Sequence, residues 1–221
     1  MKELLITSVK KNERVCLVHE VIEPPDMATV RSYTLPDNII SRGFNFLVGY
    51  IAALTDEKDH ETFLQVVKSV ISKNINAGFI IAGSGRNEMM IRNRIKELNL
   101  EDHVFMIGFC DKVPGLMKQL DALLFTSTKE GLPVTLIESF FMKLPVVATR
   151  AGGIPELVVD NNTGYLSDIK DVNDLSKKLQ IMLTDHITRE RIISNAYHHA
   201  QQFTSDVMAH NMINVYKEVV G

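Results

Sequence analysis

Two glutamates lie on either side of a predicted helix start in the segment TKEGLPVTLIES, residues 128–139. Glu130 precedes a Gly-Leu-Pro turn, and Glu138 lies within the apolar helix that follows, with seven residues between them. Proline is tolerated in the first turn of a helix, so we expect the helix to start near Pro133. The first backbone N–H groups of a helix have no internal acceptor and attract anions, phosphate above all. The segment therefore predicts a phosphate site.

The residues expected to face this anion form the turn and the first helical turn: Gly131, Leu132, Pro133, Val134 and Thr135. A carboxylate touching a diphosphate would repel it, whereas carboxylates on either side could accept hydrogen bonds from two vicinal diols. We therefore interpret Glu130 as a contact to a sugar and Glu138 as a contact to a ribose, as a nucleotide sugar would require. The alternative is a solvated Glu130 and a Glu138 on the exposed side of its helix.

A lysine follows the first predicted sheet strand in the segment LTDEKDHETF, residues 54–63. Lys58 directly precedes a helix predicted to begin near Asp59. A cation at this place can neutralise a diphosphate as a point charge. By itself, however, a lysine in such a turn is more often simply solvated.

Three glycine-containing turns also follow predicted strands. In IIAGSGRNE, Gly83 and Gly85 would let the backbone approach a ligand, although a plain strand-to-helix turn explains them equally well. In MIGFCDKVP, Phe109 and Cys110 could present backbone groups to a flat base, or form an ordinary loop. The third turn, RAGGIPE, we interpret as mainly conformational.

These segments are positioned by alternating strands and helices. Short, continuously apolar runs are typical of parallel strands covered on both faces, and we predict them at residues 44–51, 77–83, 103–108, 121–127, 144–149 and 163–167. Helical stretches separate them, which predicts an α/β fold with a doubly wound parallel sheet. Ligands of such sheets bind beyond the carboxyl ends of the strands. All the candidate residues above lie in or next to those loops.

The predicted domains follow from the same pattern. We expect a Rossmann-like domain over residues 44–203 and a C-terminal helix over 204–221. Residues 1–43 contain one plausible strand, RVCLVHEV, and a Pro-rich connection, and we interpret them as the remnant of something larger.

Composition excludes several classes of protein. With 24 basic and 27 acidic residues, the chain shows no electrostatic footprint for nucleic acid. Its two cysteines lie far apart, with no Cys or His at metal-ligand spacing, which argues for a reducing compartment and against a metal site or a disulfide framework. Because no signal peptide or long apolar run is present, we expect a cytoplasmic protein.

Taken together, these motifs resemble the retaining glycosyltransferases of family 4. The resemblance rests on EGLPVTLIE, PVVATRAGGIPELV and NNTGYLS, supported by VGYIAALTDEKDHETFLQV and FIIAGSGRNE in the same order. It implies a GT-B architecture, in which an acceptor-binding half and a donor-binding half meet at a cleft. This chain resembles the C-terminal donor-binding half, with the N-terminal acceptor domain missing. The family often has an arginine after the strand glycine, where this chain has Tyr50.

The resemblance also implies roles for individual residues. Lys58 and Glu130 would be the catalytic pair, with Lys58 on the diphosphate and Glu130 on the donor sugar. Glu138 would contact the ribose, and the loop at Phe109 and Cys110 would hold the base. The implied reaction transfers a sugar from a nucleotide diphosphate sugar, taken to be a UDP-sugar, to a hydroxyl acceptor, with no metal and no further cofactor.

The implied partners are the nucleotide-sugar donor, a saccharide or lipid-linked acceptor and the missing N-terminal domain. A lipid-linked acceptor would place the protein at the inner face of the membrane. We expect the chain alone to bind donor but to turn over poorly. Two alternatives remain: a non-catalytic nucleotide-sugar-binding or assembly module of the same fold, and a sugar-nucleotide epimerase of similar architecture.

Overall fold

The computed structural model describes residues 22–220 and contains one parallel, six-stranded sheet within them. The strand order is β3-β2-β1-β4-β5-β6, and every neighbouring pair is parallel. The strands are β1 Phe46–Ile51, β2 Ala77–Ala82, β3 Val104–Gly108, β4 Ala122–Phe125, β5 Val146–Thr149 and β6 Tyr165–Ser167. The predicted doubly wound sheet is therefore confirmed, and each strand lies within its predicted run.

Helices connect these strands and follow the last one. They are α1 Asp37–Ile40, α2 His60–Ile71, α3 Glu88–Glu97, α4 Val113–Met117, α5 Val134–Phe141, α6 Ile154–Leu157, α7 Val172–Thr184, α8 His186–Ala200 and α9 Ser205–Val220. Short 3₁₀ turns occupy Asp56–Lys58 and Gln201–Phe203. Three of the longer helices, α2, α7 and α8, are directly preceded by an aspartate whose side chain accepts a hydrogen bond from the first turn: Asp59, Asp171 and Asp185.

The core explains why the strands are continuously apolar. Every residue of β2, β4 and β5 is buried, as expected for strands covered by helices on both faces. Gly49 in β1 allows close packing, because a Cβ there would lie 2.4 Å from a methyl carbon of Leu120. The sheet is thus a rigid platform for the loops at its carboxyl edge.

Strand order changes direction at β1. Both β2 and β4 pair with β1, so the chain proceeds outward to β3 and then returns to the other side. In open α/β sheets this reversal separates the loops that leave the two central strands and creates a place for a ligand. Here those loops follow Ile51 and Phe125.

The start of the described chain pairs with the 3₁₀ turn that precedes α9. The backbone N–H of Ile22 donates to the carbonyl of Phe203 at 3.1 Å. The strand predicted over residues 14–21, and Cys16 within it, lie outside the described residues. Within residues 22–220, no helix combines the length and hydrophobicity needed to cross a bilayer.

Candidate active site

The loops that leave β1 and β4 bring Lys58 and Glu130 together. Lys58 ends the 3₁₀ turn after β1, and Glu130 lies in the loop after β4. The Nζ of Lys58 donates to Oε1 of Glu130 at 2.7 Å, and Oγ of Ser127 donates to the same oxygen at 2.7 Å. The sheet therefore places the predicted cation and the first predicted carboxylate in direct contact.

This ion pair is largely removed from solvent. The side chain of Lys58 is 19% exposed and that of Glu130 is 8% exposed. Both hydrogen bonds to Glu130 end on Oε1, and no described residue donates to Oε2. An ammonium group has three N–H donors, of which one is used here. Among the described residues, one carboxylate oxygen and two ammonium donors thus have no protein partner.

A glycine turn after β5 supports the Glu130 loop. The N–H of Gly153 donates to the carbonyl of Gly131 at 3.0 Å, and a Cβ on Gly152 would lie 1.8 Å from the carbonyl oxygen of Glu130. Gly152 also has a φ of 53°, in the left-handed region that favours glycine. The conformational interpretation of this turn agrees with the structure, which shows in addition that the turn packs against the candidate site.

The helix that follows Glu130 presents an open N-terminus. α5 begins at Val134, and Pro133 precedes it with φ −71° and ψ 106°. Pro133 therefore lies just before the helix rather than inside its first turn. No side chain of residues 22–220 caps this end, and Val134 and Gly131 are exposed. The backbone N–H groups of Val134 and Thr135 therefore lie at an open end of the helix, where an anion is favoured.

Glu138 is half-buried on α5. Burial raises the pKa of its carboxyl above the ordinary value. No described residue donates a hydrogen bond to this carboxylate. Glu138 is thus partly desolvated rather than fully exposed on its helix.

A cavity of about 260 Å³ lies where the other predicted loops converge. Four predicted residues line it: Gly83, Phe109, Cys110 and Thr135. Cys110 is 8% exposed, whereas Phe109 is 78% exposed. The cavity joins the loop predicted to hold a base to the start of α5, which is predicted to hold phosphate.

Gly85 does not line that cavity. A Cβ on Gly85 would lie 2.5 Å from the carbonyl oxygen of Leu54, so this position packs closely against the loop that leaves β1. A Cβ on Gly83 would lie 1.9 Å from the carbonyl oxygen of Ala52. The backbone therefore packs closely at both glycines, but of the two only Gly83 also lines the cavity.

His60, the first residue of α2, adds no positive charge beside Lys58 near neutral pH. Its side chain is buried, and burial lowers its pKa to about 4, although Asp59 opposes the shift. His60 also lines a cavity of about 780 Å³ between α2 and α3. That larger cavity contains none of the predicted site residues, so we assign the site to the strand ends.

Sequence reasoning missed the hydroxyl groups beneath the ion pair. Thr126 and Ser127 directly follow β4 and are buried. Polar residues immediately after a buried strand are a signal that could have identified them. Tyr50, noted only as a replacement for a cation, is buried in the core, and its hydroxyl donates to the carbonyl of Lys58.

Comparison with known proteins agrees with this geometry. Residues 38–199 match the model of the family described as glycosyl transferases group 1. The chain is 26% identical over 175 residues to N-acetyl-alpha-D-glucosaminyl L-malate synthase of Bacillus anthracis, covering 77% of this chain and 45% of that protein. It is 28% identical over 176 residues to a Campylobacter jejuni enzyme, covering 78% of this chain and 48% of that one. That enzyme is GalNAc-alpha-(1->4)-GalNAc-alpha-(1->3)-diNAcBac-PP-undecaprenol alpha-1,4-N-acetyl-D-galactosaminyltransferase.

The fold is also similar to solved structures. The structure of Anabaena Alr3699/HepE in complex with UDP-glucose superposes with a TM-score of 0.73 at 25% identity, covering 84% of this chain and 54% of that one. The chain spans about half the length of the curated relatives it matches. Because the family model matches most of the sequence, the chain belongs to the group 1 glycosyl transferases.

Proposed function

We propose that this chain is the donor-binding part of a retaining, family 4 glycosyltransferase that works without a metal. The donor is a nucleotide diphosphate sugar, a UDP-sugar in the first instance, and the acceptor is a hydroxyl of a saccharide or a lipid-linked saccharide. One observation supports this above all: Lys58 and Glu130 meet beside the uncapped start of α5. A cation and free helix N–H groups suit a diphosphate, and the adjacent carboxylate suits a sugar hydroxyl.

Each group has a separate task in this proposal. The two remaining N–H donors of Lys58 and the N–H groups of Val134 and Thr135 bind the diphosphate oxygens. Oε2 of Glu130 accepts a hydrogen bond from the donor sugar, while Lys58 and Ser127 hold Oε1. The cavity lined by Phe109 and Cys110 accepts the base.

Glu138 would accept hydrogen bonds from the ribose diol. Since its carboxylate is partly desolvated, a hydroxyl donor there replaces part of the missing solvation and is favourable.

The reaction follows from these contacts. The acceptor oxygen forms a bond to the anomeric carbon on the face from which the diphosphate departs, and the bond from that carbon to the phosphate oxygen breaks. The acceptor proton passes to an oxygen of the leaving diphosphate. Negative charge therefore grows on the diphosphate, where Lys58 and the helix N-terminus stabilise it electrostatically. Glu130 positions the sugar and remains ionised throughout.

The comparisons support the donor class at the level of the family. The similar Anabaena structure is a complex with UDP-glucose, and the name of the Campylobacter relative includes a PP-undecaprenol saccharide. For this chain, the UDP donor and the lipid-linked acceptor are part of the proposal.

Isothermal titration of the 221-residue chain with UDP, UDP-sugars and GDP tests the donor site. We expect UDP to bind, and Lys58→Ala to weaken that binding by about tenfold or more, because a charge-assisted hydrogen bond to phosphate is lost. Lys68→Ala is the matched control, since it removes the same charge from an exposed position on α2. Folded wild-type protein that gives no heat with any nucleotide would refute the donor site.

The second candidate is a non-catalytic nucleotide-sugar-binding or assembly module. It is favoured by Tyr50, which lies buried in the core and supplies no cation to the site. The two functions differ in transfer activity. If the substitutions Glu130→Ala and Lys58→Ala leave transfer unchanged, these residues do not take part in catalysis. If the complete protein binds donor but transfers no sugar, the non-catalytic module is favoured.

A further inference from the structure

The turn that presents Lys58 is held from below by hydroxyl and amide donors. The hydroxyl of Tyr50 donates to the carbonyl of Lys58. Oγ1 of Thr126 lies 3.2 Å from that carbonyl oxygen and 3.0 Å from the carbonyl oxygen of Asp59. The N–H of Thr128 donates to the carbonyl of Glu57 at 2.7 Å. Three consecutive carbonyls are therefore bound by residues from β1 and from the loop after β4.

Tyr50 is itself fixed within the core. It is 1% exposed, and its ring stacks on Phe63 with centroids 5.1 Å apart. The ring of Phe125 contacts it edge-on at 6.3 Å. Burial raises the pKa of the Tyr50 hydroxyl, so the group remains a protonated donor. A buried aromatic ring thus places one hydroxyl under the turn that contains Lys58.

The far end of the turn is fixed by a different contact. Asp59 has a φ of 47°, in the left-handed region, and its carboxylate accepts hydrogen bonds from both the N–H and the hydroxyl of Thr62. The contact with α2 therefore fixes the end of the turn at Asp59. The hydroxyl groups of Tyr50 and Thr126 fix the orientation of the Lys58 carbonyl. The direction of the Lys58 side chain depends on both.

We infer that Tyr50 is a positioning residue: by donating a hydrogen bond to the carbonyl of Lys58, it helps to hold the Lys58 ammonium group in position beside Glu130. This inference rests on the proposed donor site, because it concerns how that site is held for a diphosphate. A lysine side chain has a flexible four-carbon stem, so a fixed backbone, together with the ion pair to Glu130, limits the positions that its ammonium group can reach. A rigid turn lowers the entropy lost when Lys58 binds phosphate oxygens.

Tyr50→Phe isolates the hydroxyl, since the phenyl ring keeps the contacts with Phe63 and Phe125. Tyr165→Phe is the matched control, because Tyr165 is a buried tyrosine in β6, away from the Lys58 turn. Affinities for UDP and for uridine are measured by isothermal titration of the full 221-residue chain. Uridine lacks the diphosphate and therefore does not report on Lys58.

We expect Tyr50→Phe to bind UDP about five- to tenfold more weakly, as for the loss of one hydrogen bond, while its uridine affinity is unchanged. Tyr165→Phe should match wild type with both ligands. In a Lys58→Ala background, Tyr50→Phe should cause no further loss of UDP affinity, because its effect acts through Lys58.

Other outcomes overturn the inference. Unchanged UDP affinity in Tyr50→Phe, equal losses for UDP and uridine, or an undiminished effect in the Lys58→Ala background would each do so. If Tyr50→Phe does not fold, Thr126→Val decides the question, since it removes the second hydroxyl on the same carbonyl and should show the same selective loss. A wild-type chain that binds no UDP would instead overturn the proposed donor site, and this inference with it.

Discussion

The Glu130 carboxylate divides its two oxygens between the protein and a prospective ligand. Oε1 accepts from Lys58 and Ser127, and within residues 22–220 nothing donates to Oε2. A carboxylate held in this way keeps a fixed orientation when a sugar arrives, so less rotamer entropy is lost on binding. The ion pair also balances the charges of Lys58 and Glu130 before a donor binds. This lowers the free-energy cost of holding two charges at largely buried positions.

Glu138 has no charged or hydrogen-bonding partner among the described residues, and this predicts a pH dependence. Burial raises its pKa in the folded state, so its contribution to stability is present at low pH and is lost as the pH rises through the folded-state pKa. Glu138→Gln is neutral throughout and should therefore melt at a higher temperature than wild type at pH 7. The difference should shrink as the pH falls toward 4.

Thermal unfolding between pH 4 and pH 8 provides the measurement. Glu101→Gln is the control, because Glu101 is exposed and its substitution should change the melting temperature little. A Glu138→Gln chain that melts below wild type at neutral pH would show that the carboxylate is stabilised by contacts absent from this structure.

At the scale of elements, the site is built by loops that pack on each other as well as on the sheet. The turn after β5 contacts the loop after β4, which in turn binds the 3₁₀ turn after β1. Three loops from the carboxyl ends of three strands therefore form one unit. A change in one of them should reach the others.

Gly152→Ala tests this coupling. An added Cβ would lie 1.8 Å from the carbonyl oxygen of Glu130, at a φ of 53°. We expect a loss of stability beyond the ~1–2 kcal/mol of a left-handed alanine, because the Glu130 loop must also move. UDP affinity should fall as well, since the loop holds Glu130 and the start of α5.

Gly43→Ala separates the two causes. Gly43 has a φ of 63°, but nothing lies within 4 Å of its added Cβ, so the substitution causes backbone strain without overlap. Urea unfolding and UDP titration of both variants provide the comparison. If Gly152→Ala and Gly43→Ala lose the same stability and both retain wild-type UDP affinity, the turn after β5 does not position the Glu130 loop.

At the scale of the whole molecule, the candidate site lies on an open edge. Phe109, Gly131 and Val134 are exposed there. Transfer requires acceptor contacts and the exclusion of water, both of which depend on closure over the donor. We therefore expect the 221-residue chain to bind donor but to transfer sugar slowly.

Release of UDP from a UDP-sugar, measured with and without a saccharide acceptor, checks this expectation. The Lys58→Ala chain serves as the blank for any residual activity. Rapid, acceptor-dependent release by the 221-residue chain would show that the described edge is already a complete active site.

Much of the fold was predictable because its signals are local. Continuous apolar runs such as residues 77–83 indicate strands buried on both faces, and β2 lies within that run. The start of α5, expected near Pro133, is at Val134, and Pro133 itself is extended and directly precedes the helix. The domain boundaries at residues 43–44 and 203–204 remain predictions.

The sequence by itself determined the order of strands and helices, the carboxyl-edge location of the candidate residues and the membership of a glycosyltransferase family, since these depend on periodicity and motifs along the chain. Only the tertiary structure decided that Lys58 bonds to Glu130, that Gly85 lies outside the cavity and that Tyr50 supports the Lys58 turn. The reason is that these contacts depend on how the loops fold back over the strand ends: Lys58 and Glu130 come from separate loops, and Tyr50 reaches the turn that follows its own strand. Which side chains meet there depends on how the parallel strands pack, and local sequence patterns carry no information about that packing.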